Sequence, residues 1–287
     1  QYMLIIWEKK DIFQSTKQIF KLEYEKYMHN YVISVKNSYK RREHITQEFS
    51  KHHILFDFFD AITLETIERA CNELSISLEN SQLSDGEKAC FLSHLCLWKK
   101  CIDKKLDYIA VFEDDVYLGK DANSFFMDHN WLNNNQFDFI KTETFLQERK
   151  LAFNSIDLPN NRKIRELKEP HLGTAGYIIS QKAAISLLNY VKSFPEEKLL
   201  PIDHMMFEQY LYYKSSSPIY QMIPAIVAQE FILYPNQNNM PSSIEESRLL
   251  RKQNKQKRPL LDKIAGELSN LFRKTLGKLL RTRVTFY

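Results

Sequence analysis

Short apolar runs alternate with helix-like segments along most of this 287-residue chain, and this alternation restricts the fold more than any other feature. The runs are rich in β-branched and aromatic residues, as strands are. Strands that alternate with helices predict an α/β fold with a largely parallel central sheet. The predicted strands cover residues 31–35, 54–62, 108–112, 137–141, 176–180 and one or two stretches within 219–229.

Two helix starts carry clear local signals. Ser84 is followed three residues later by Glu87, which is a capping box, and it opens the apolar segment 88–102. That segment is apolar on most faces, which predicts a buried helix. Ser180 is placed to cap a second helix over residues 182–191.

The composition indicates one large folded domain, because 44% of the residues are hydrophobic and 13% are aromatic. No window approaches the roughly 18 apolar residues of a membrane span, and the first apolar run is too short for a signal peptide. The four cysteines match no zinc spacing and are interpreted as reduced core residues. We therefore expect a cytoplasmic protein.

Charge is divided unevenly along the chain. Residues 248–287 hold 12 Lys and Arg against two acids, whereas residues 1–247 hold 28 against 34. Leucines at helical spacing in the tail predict a basic amphipathic helix, which is typical of a peripheral anchor on an anionic membrane. An ordinary helix packed on the main domain is the alternative. No nucleic-acid partner is expected, because no recognised nucleic-acid-binding fold accompanies the charge.

Three consecutive acids, Glu113, Asp114 and Asp115, follow the predicted strand 108–112. Side chains two residues apart in a strand point the same way, so Glu113 and Asp115 can converge while Asp114 faces elsewhere. A divalent cation relieves their repulsion, and Mn²⁺ or Mg²⁺ suits carboxylates that share the ion with the phosphates of a ligand. The alternative is a solvated acidic loop, or a turn that Asp115 caps.

Polar residues also follow the first two predicted strands. Ser34 and the pair Arg41 and Arg42 come after the first strand, and Asp60 ends the second. Ligands of such sheets bind beyond the carboxyl ends of the strands, so these residues and the acids are predicted to share one site. The sequence has no glycine-rich phosphate loop, so a phosphate would rely on a metal or on arginines. Solvated helix charge is the alternative for the two arginines.

Several stretches resemble glycosyltransferase family 25, in the family's order. They are YVISVKNSYKRREHITQEFSKHHILFDFFDAI, LSDGEKACFLSHLCLWKKCI, YIAVFEDDVYL, LGTAGYIISQKAAISLL and LPIDHMMF, and the similarity covers about residues 28–229. Bacterial members of the family build lipopolysaccharide or lipo-oligosaccharide. The resemblance implies a GT-A-like, Rossmann-related fold and an inverting transfer of a hexose from a UDP-sugar, with galactose expected before glucose.

The resemblance also implies roles for the polar residues. The acidic triplet 113–115 looks like the family's version of the DxD motif, with Glu in the first position. Its first and third carboxylates are the predicted metal ligands, and Mn²⁺ is expected before Mg²⁺. At least one of Arg41 and Arg42 is expected to bind the diphosphate. Asp60, which ends an aromatic strand, is expected to accept a hydrogen bond from uracil or ribose, and the alternative is that it caps a helix or a turn.

Five further residues are assigned with alternatives. An inverting transfer needs a base for the acceptor hydroxyl, and Asp203 is the candidate, with helix capping as its alternative. His94 lies inside an apolar helix and is either a site residue or a hydrogen-bonded core residue. Gly173, Thr174 and Tyr177 are expected to contact the sugar, or else to allow close strand packing.

These observations divide the chain into three predicted regions. Residues 1–27 are a predicted N-terminal extension, 28–247 the GT-A-like catalytic domain and 248–287 the basic tail. The expected partners are UDP-galactose or UDP-glucose, a lipid-linked oligosaccharide acceptor and an anionic surface at the inner face of the cytoplasmic membrane. The alternatives are a metal-dependent phosphoester hydrolase and a non-catalytic carbohydrate-binding or membrane scaffold protein.

Overall fold

The computed structural model describes residues 27–133, 135, 137–213, 216–236 and 281–287. The strands in these residues are β1 His29–Ser34, β2 Asp57–Asp60, β3 Tyr108–Glu113, β4 Val116–Leu118, β5 Phe139–Lys141, β6 Glu148–Leu158, β7 Arg162–Leu167, β8 Gly176–Ser180, β9 Ile219–Ile223, β10 Val227–Gln229 and β11 Arg281–Arg283. The helices are α1 Tyr39–Lys51, α2 Ile67–Leu74, α3 Asp85–Asp103, α4 Asn123–Phe126, α5 Asn130–Asn133, α6 Gln181–Lys192, α7 Ile202–His204 and α8 Glu230–Leu233. Helix α7 continues into a π-helical turn over Met205–Gln209.

Within the described part of the chain, nine strands form one sheet in the order β11-β6-β7-β9-β5-β8-β3-β1-β2. Parallel pairing joins β2 to β1 and β1 to β3, and it joins β5 to β9, whereas β8 runs antiparallel between β3 and β5. Six of these nine strands, β1, β2, β3, β5, β6 and β9, run in one direction. Strands β4 and β10 pair separately. The predicted α/β, GT-A-like fold with a mostly parallel sheet is confirmed.

Helices cover both faces of the sheet, and the alternation of side chains along β3 shows why. Ile109 and Val111 pack into the cluster formed with α3 and α6, whereas Ala110 and Phe112 pack into the cluster formed with α1. The ring of Phe112 lies edge-on to that of Phe49 in α1. A strand buried on both faces contributes apolar surface to two layers, at about 1.5–3 kcal/mol per large side chain. The end of β3 is thereby held in a fixed position.

The two predicted helix caps are confirmed. The backbone N–H of Ser84 donates to the Glu87 carboxylate at 2.8 Å, and the backbone N–H of Glu87 donates to the Ser84 hydroxyl at 3.4 Å. The Ser180 hydroxyl accepts from the backbone N–H of Ala183 at 3.1 Å. These caps start α3 and α6, whose apolar faces pack together against the sheet.

Some strand predictions differ from the structure. Residues 54–62 contain only the four residues of β2. The prediction of one or two strands within residues 219–229 is confirmed, because β9 and β10 lie there on either side of Pro224, which has no N–H to donate to a ladder. The hairpin of β6 and β7 is not predicted from the sequence. Most of β6 is exposed, so it lacks the apolar run by which a buried strand is recognised.

The end of the tail also differs from the prediction. Arg281–Arg283 forms β11, which pairs antiparallel with β6, and Val284 is buried. The predicted helix is wrong for these residues, which extend the main sheet. Residues 248–280 of the predicted tail and residues 1–26 of the predicted extension lie outside the described residues. No helix in the described ranges is long and apolar enough to cross a bilayer.

Candidate active site

A pocket of about 360 Å³ lies at the carboxyl ends of β1 and β3. One part of its lining comes from these strand ends and α1, and the other from the chain after β2 and the first half of α3. Its apolar and small residues include Ile33, Ile62 and Ala89. The predicted site residues that line it are Ser34, Arg41, His94, Glu113, Asp114 and Asp115.

Asp114 is held by two side chains from different elements. The hydroxyl of Ser34 at the end of β1 donates to one carboxylate oxygen at 2.6 Å, and the guanidinium of Arg41 in α1 donates to the other. Nη1 of Arg41 also lies 3.9 Å from the Asp115 carboxylate. These contacts fix Arg41 inside the pocket, which places a fork of N–H donors beside the acids.

Glu113 and Asp115 converge, as the alternation of a strand predicts, and they meet at Gln229. Its Nε2 lies 3.2 Å from Glu113 and 3.1 and 3.3 Å from the two Asp115 oxygens. The hydroxyl of Thr174 donates to the other oxygen of Glu113 at 2.7 Å. Gln229 was not predicted as a site residue, and its only sequence signal is a polar side chain at the end of a predicted strand.

Burial controls the electrostatics of this cluster. Burial raises the pKa of Asp115, and this rise is opposed by the charge of Arg41 and the hydrogen bond from Gln229. For Arg41, burial lowers the pKa, but the carboxylates of Asp114 and Asp115 raise it by more. With one arginine among three acids in its lining, the pocket presents carboxylate oxygens that a cation can share.

Arg42 and Asp60 lie outside the lining of this pocket. Arg42 donates to the Asp60 carboxylate and, at 3.0 Å, to the backbone carbonyl of Ser34. Its guanidinium carbon lies 4.6 Å from the centre of the Phe58 ring. Of the predicted arginine pair, Arg41 therefore enters the pocket, whereas Arg42 joins the ends of β1 and β2.

Tyr177 is fully buried, so the predicted contact of its ring with a sugar is wrong. Its hydroxyl accepts from Nε1 of Trp98 at 3.0 Å and lies 2.9 Å from Nδ1 of His94. The register of β8 places Tyr177 opposite Val111, and both side chains belong to the core cluster with α3. Burial lowers the pKa of His94 to about 3, so the imidazole is neutral at physiological pH.

Gly173 supports the alternative of close packing rather than sugar contact. Its φ is +96°, a conformation that favours glycine, and a Cβ there would approach the Phe145 ring to 2.5 Å. Its carbonyl accepts from the buried ammonium of Lys141 at 2.6 Å. Thr174, the next residue, is the member of this segment that contacts the acidic triplet.

A second buried charged cluster adjoins Gly173, and two of its members, Lys141 and Glu143, are not predicted as site residues from the sequence. Lys141 donates to Glu143, and both are almost completely buried. Burial lowers the pKa of Lys141, and the charges of Glu143, Asp203 and Glu113 oppose this shift. The only signal for the pair was the polar sequence KTE at the end of the predicted strand 137–141.

Asp203 is 7% exposed and belongs to this second cluster rather than to the lining of the pocket. The residue at the N-cap of α7 is Pro201, and the Asp203 carboxylate accepts from the backbone N–H of His204 at 3.0 Å. The capping alternative for Asp203 is therefore wrong. Its charge acts on both Lys141 and Glu143.

The carboxylates of the pocket include the two predicted metal ligands, Glu113 and Asp115. In the residues that the structure describes, no group of three or more His, Cys, Asp or Glu side chains is arranged to hold a metal ion. Glu113 and Asp115 nevertheless present converging carboxylates, and Mg²⁺-type ions are commonly held by one or two carboxylates plus phosphates of a substrate. The oxygen donors fit such an ion.

A mixed sheet of this order, with a carboxylate-lined pocket at the carboxyl ends of its parallel strands, defines a GT-A-like α/β protein. Sequence comparison narrows this class. The family model described as "Glycosyltransferase family 25 (LPS biosynthesis protein)" matches residues 27–206. The chain belongs to glycosyltransferase family 25, and it is an enzyme of the glycosyltransferase class.

Two relatives illustrate the extent of the similarity. The lipooligosaccharide biosynthesis protein lic2B of Haemophilus influenzae is 38% identical over 258 residues, which cover 87% of this chain and 95% of the relative. The lacto-N-neotetraose biosynthesis glycosyltransferase LgtB of Neisseria meningitidis serogroup B is 40% identical over 243 residues, which cover 81% of this chain and 88% of the relative. The predicted family resemblance is confirmed.

Proposed function

We propose that this glycosyltransferase moves a hexose, galactose before glucose, from a UDP-sugar to a lipo-oligosaccharide acceptor, with inversion at the anomeric carbon. The observation that carries the proposal is the pocket in which Ser34 and Arg41 meet the carboxylates of 113–115. The relatives named for lipooligosaccharide and lacto-N-neotetraose biosynthesis support this class of acceptor.

Arg41 is proposed to bind the diphosphate, because its guanidinium is held in place by Asp114 and has further N–H donors to offer. Glu113 and Asp115 are proposed to hold Mn²⁺, or Mg²⁺ in its place, with Thr174 and Gln229 orienting the two carboxylates. When bound, the ion would neutralise the negative charge that develops on the departing UDP.

Asp60 and Arg42 are proposed to act beside the pocket. Asp60 has 56% of its side chain exposed, and it is proposed to accept a hydrogen bond from uracil or ribose. Arg42 keeps that carboxylate in position through their ion pair and anchors it to the end of β1. Charge-assisted bonds of this kind give a carboxylate a defined orientation.

Asp203 is proposed as the base. Its carboxylate would take the proton of the acceptor hydroxyl as the hydroxyl oxygen bonds to the anomeric carbon and UDP leaves from the opposite face. Asp203→Asn is expected to lower kcat by about 10²–10⁴-fold and to leave UDP affinity unchanged. The matched control is Glu143→Gln, which replaces the neighbouring carboxyl group of the same cluster by an amide.

An aromatic rim beside Gln229 is proposed to bind the acceptor sugar. Phe231 and Tyr234 follow Gln229 and are 42% and 40% exposed. The centre of the Phe231 ring lies 6.0 Å from that of Phe145, and the centre of the Tyr234 ring lies 5.2 Å from that of Tyr117, so each packs against a second aromatic ring. Aromatic faces pack well against the C–H face of a sugar ring. Phe231→Ala and Tyr234→Ala are expected to raise KM for the acceptor and leave KM for the donor unchanged.

The basic tail is proposed to hold the enzyme at the inner face of the cytoplasmic membrane, where a lipid-linked acceptor is presented. Each basic residue contributes about 1 kcal/mol to the binding free energy of such a segment on an anionic lipid surface. Co-sedimentation with vesicles that contain phosphatidylglycerol, and no sedimentation with pure phosphatidylcholine, is expected. Replacing Arg273, Lys274 and Lys278 together with glutamine is expected to weaken the binding, and an unchanged variant would contradict this part of the proposal.

The proposal is tested by transfer assays with the full chain and oligosaccharides released from lipo-oligosaccharide. UDP-galactose, UDP-glucose and their N-acetyl forms are offered with Mn²⁺, and the anomeric configuration of the product is read by NMR. Transfer of one hexose with inversion supports the proposal. Transfer with retention, or no transfer from any of these donors, would contradict it.

A further inference from the structure

Three side chains form a hydrogen-bonded chain that ends at the pocket. Nε1 of Trp98 donates to the hydroxyl of Tyr177 at 3.0 Å, and that hydroxyl lies 2.9 Å from Nδ1 of His94. The indole N–H can only donate, so the Tyr177 oxygen acts as its acceptor. All three side chains are fully buried.

This chain determines which nitrogen of His94 carries the proton. Tyr177 must place its own hydroxyl proton on an acceptor, and among the described residues the available acceptor is Nδ1 of His94. Burial raises the pKa of Tyr177 well above its ordinary value, so the hydroxyl keeps its proton. With Nδ1 accepting and the imidazole neutral, the proton of His94 resides on Nε2.

Nε2 of His94 is a buried donor with no hydrogen-bond partner among the residues that the structure describes. A buried N–H without an acceptor is unfavourable, so the group calls for a partner such as an ordered water or a bound ligand. His94 is also one of the residues that line the pocket. A molecule bound in the pocket therefore comes close to a ring whose Nε2–H has no acceptor among the described residues.

We infer that Nε2–H of His94 donates a hydrogen bond to a carbonyl oxygen of the nucleobase of the donor, with Tyr177 and Trp98 as positioning residues. The pocket around His94 is lined by small or apolar residues, Ile33, Ile62 and Ala89 among them, which suit a flat heterocycle. A phosphate would bind instead at Arg41. A neutral donor suits the uncharged carbonyl oxygens of a pyrimidine.

The inference rests on the proposed function and is tested by titrating the full chain with UDP, ADP and inorganic diphosphate, each with Mn²⁺. His94→Phe removes the donor, whereas His94→Gln keeps an N–H near the position of Nε2. We expect His94→Phe to weaken UDP binding by at least about tenfold, His94→Gln to recover part of the loss, and diphosphate binding to stay unchanged. Circular dichroism verifies that each variant is folded.

Tyr177→Phe separates positioning from contact, because it alters no residue that lines the pocket. In ¹⁵N NMR spectra, His94 is expected to be the Nε2–H tautomer in the wild type and a mixture of tautomers in Tyr177→Phe, whose preference for UDP over ADP falls. A folded His94→Phe that binds UDP as the wild type does would overturn the inference alone. A wild type that binds diphosphate but neither nucleotide would overturn it together with the proposed function.

Discussion

The side-chain amide of Gln229 contacts both carboxylate oxygens of Asp115, at 3.1 and 3.3 Å. The same Nε2 lies 3.2 Å from Glu113, so one amide group stands between two carboxylates that would otherwise repel each other. The backbone of the next residue, Glu230, donates to the Asp115 carbonyl at 2.9 Å. Gln229, at the end of the short strand β10, therefore contacts the acidic end of β3 although it lies 114 residues away in the sequence.

Gln229→Ala is expected to lower the free energy of unfolding by about 1–3 kcal/mol, because it removes the donor that the buried Asp115 carboxylate shares with the partly buried Glu113 carboxylate. The measurement is urea denaturation at neutral pH without divalent ions. Gln47→Ala, at an exposed position of α1, is the control and is expected to change little. Equal midpoints for the two variants would show that the amide does not stabilise the carboxylates.

Lys141→Met is expected to destabilise the fold by about 3–5 kcal/mol, because it leaves the Glu143 carboxylate buried without its cationic partner. The double variant Lys141→Met/Glu143→Leu removes both charges and is expected to recover much of the loss. A double-mutant cycle by chemical denaturation measures the coupling. Additive effects of the two substitutions would contradict a direct ion pair.

His94 makes stability depend on pH in a predictable direction. Its pKa in the fold is about 3, below the ordinary value of 6.5, so below pH 6.5 the unfolded chain binds a proton that the folded chain does not. Stability is therefore lost as pH falls, by up to about 1.4 kcal/mol per pH unit. The difference in unfolding free energy between wild type and His94→Gln isolates this effect. It is expected to shift in favour of the variant between about pH 7.5 and pH 5. A difference that stays constant over this range would be inconsistent with a buried neutral imidazole.

The residues after β11 pack against the chain that follows β5. Val284 is fully buried, and its carbonyl accepts from the hydroxyl of Thr144 at 2.5 Å. Val284→Asp would bury a charge without a partner, and we expect a fall in unfolding free energy of more than about 3 kcal/mol. Thr285→Asp places the same charge on the adjacent exposed residue and is expected to be close to neutral. Thermal unfolding of the two variants is the measurement. A lower midpoint for Val284→Asp alone indicates a packed chain end, and equal midpoints would indicate a loosely attached one.

Local signals in the sequence predict much of the fold. β8 and the start of α6 at Ser180 are predicted correctly, because a short β-branched run is followed directly in the sequence by a capping residue. The pocket residues Ser34, Arg41 and the triplet 113–115 were predicted because strand ends of an α/β sheet meet at one edge.

Long-range pairing explains what could not be predicted. Gln229 lies 114 residues from Asp115 in the sequence, and no local pattern predicts that the two side chains are in contact. The predicted role of Tyr177 was wrong because the face to which a strand residue points depends on its register with a partner strand, here with Val111 of β3. The last residues of the tail have basic and apolar spacing, yet pairing with β6 makes them a strand.

The donor site is tested by a calorimetric titration of UDP-galactose into the full chain, once with Mn²⁺ and once with EDTA. The same titrations are run on Asp115→Asn and on Asp103→Asn, an exposed aspartate at the end of α3. We predict binding that requires Mn²⁺, that is weaker by about tenfold or more in Asp115→Asn, and that is retained in Asp103→Asn. Binding of equal strength in EDTA, or in a folded Asp115→Asn, would contradict a donor site built on the acidic triplet.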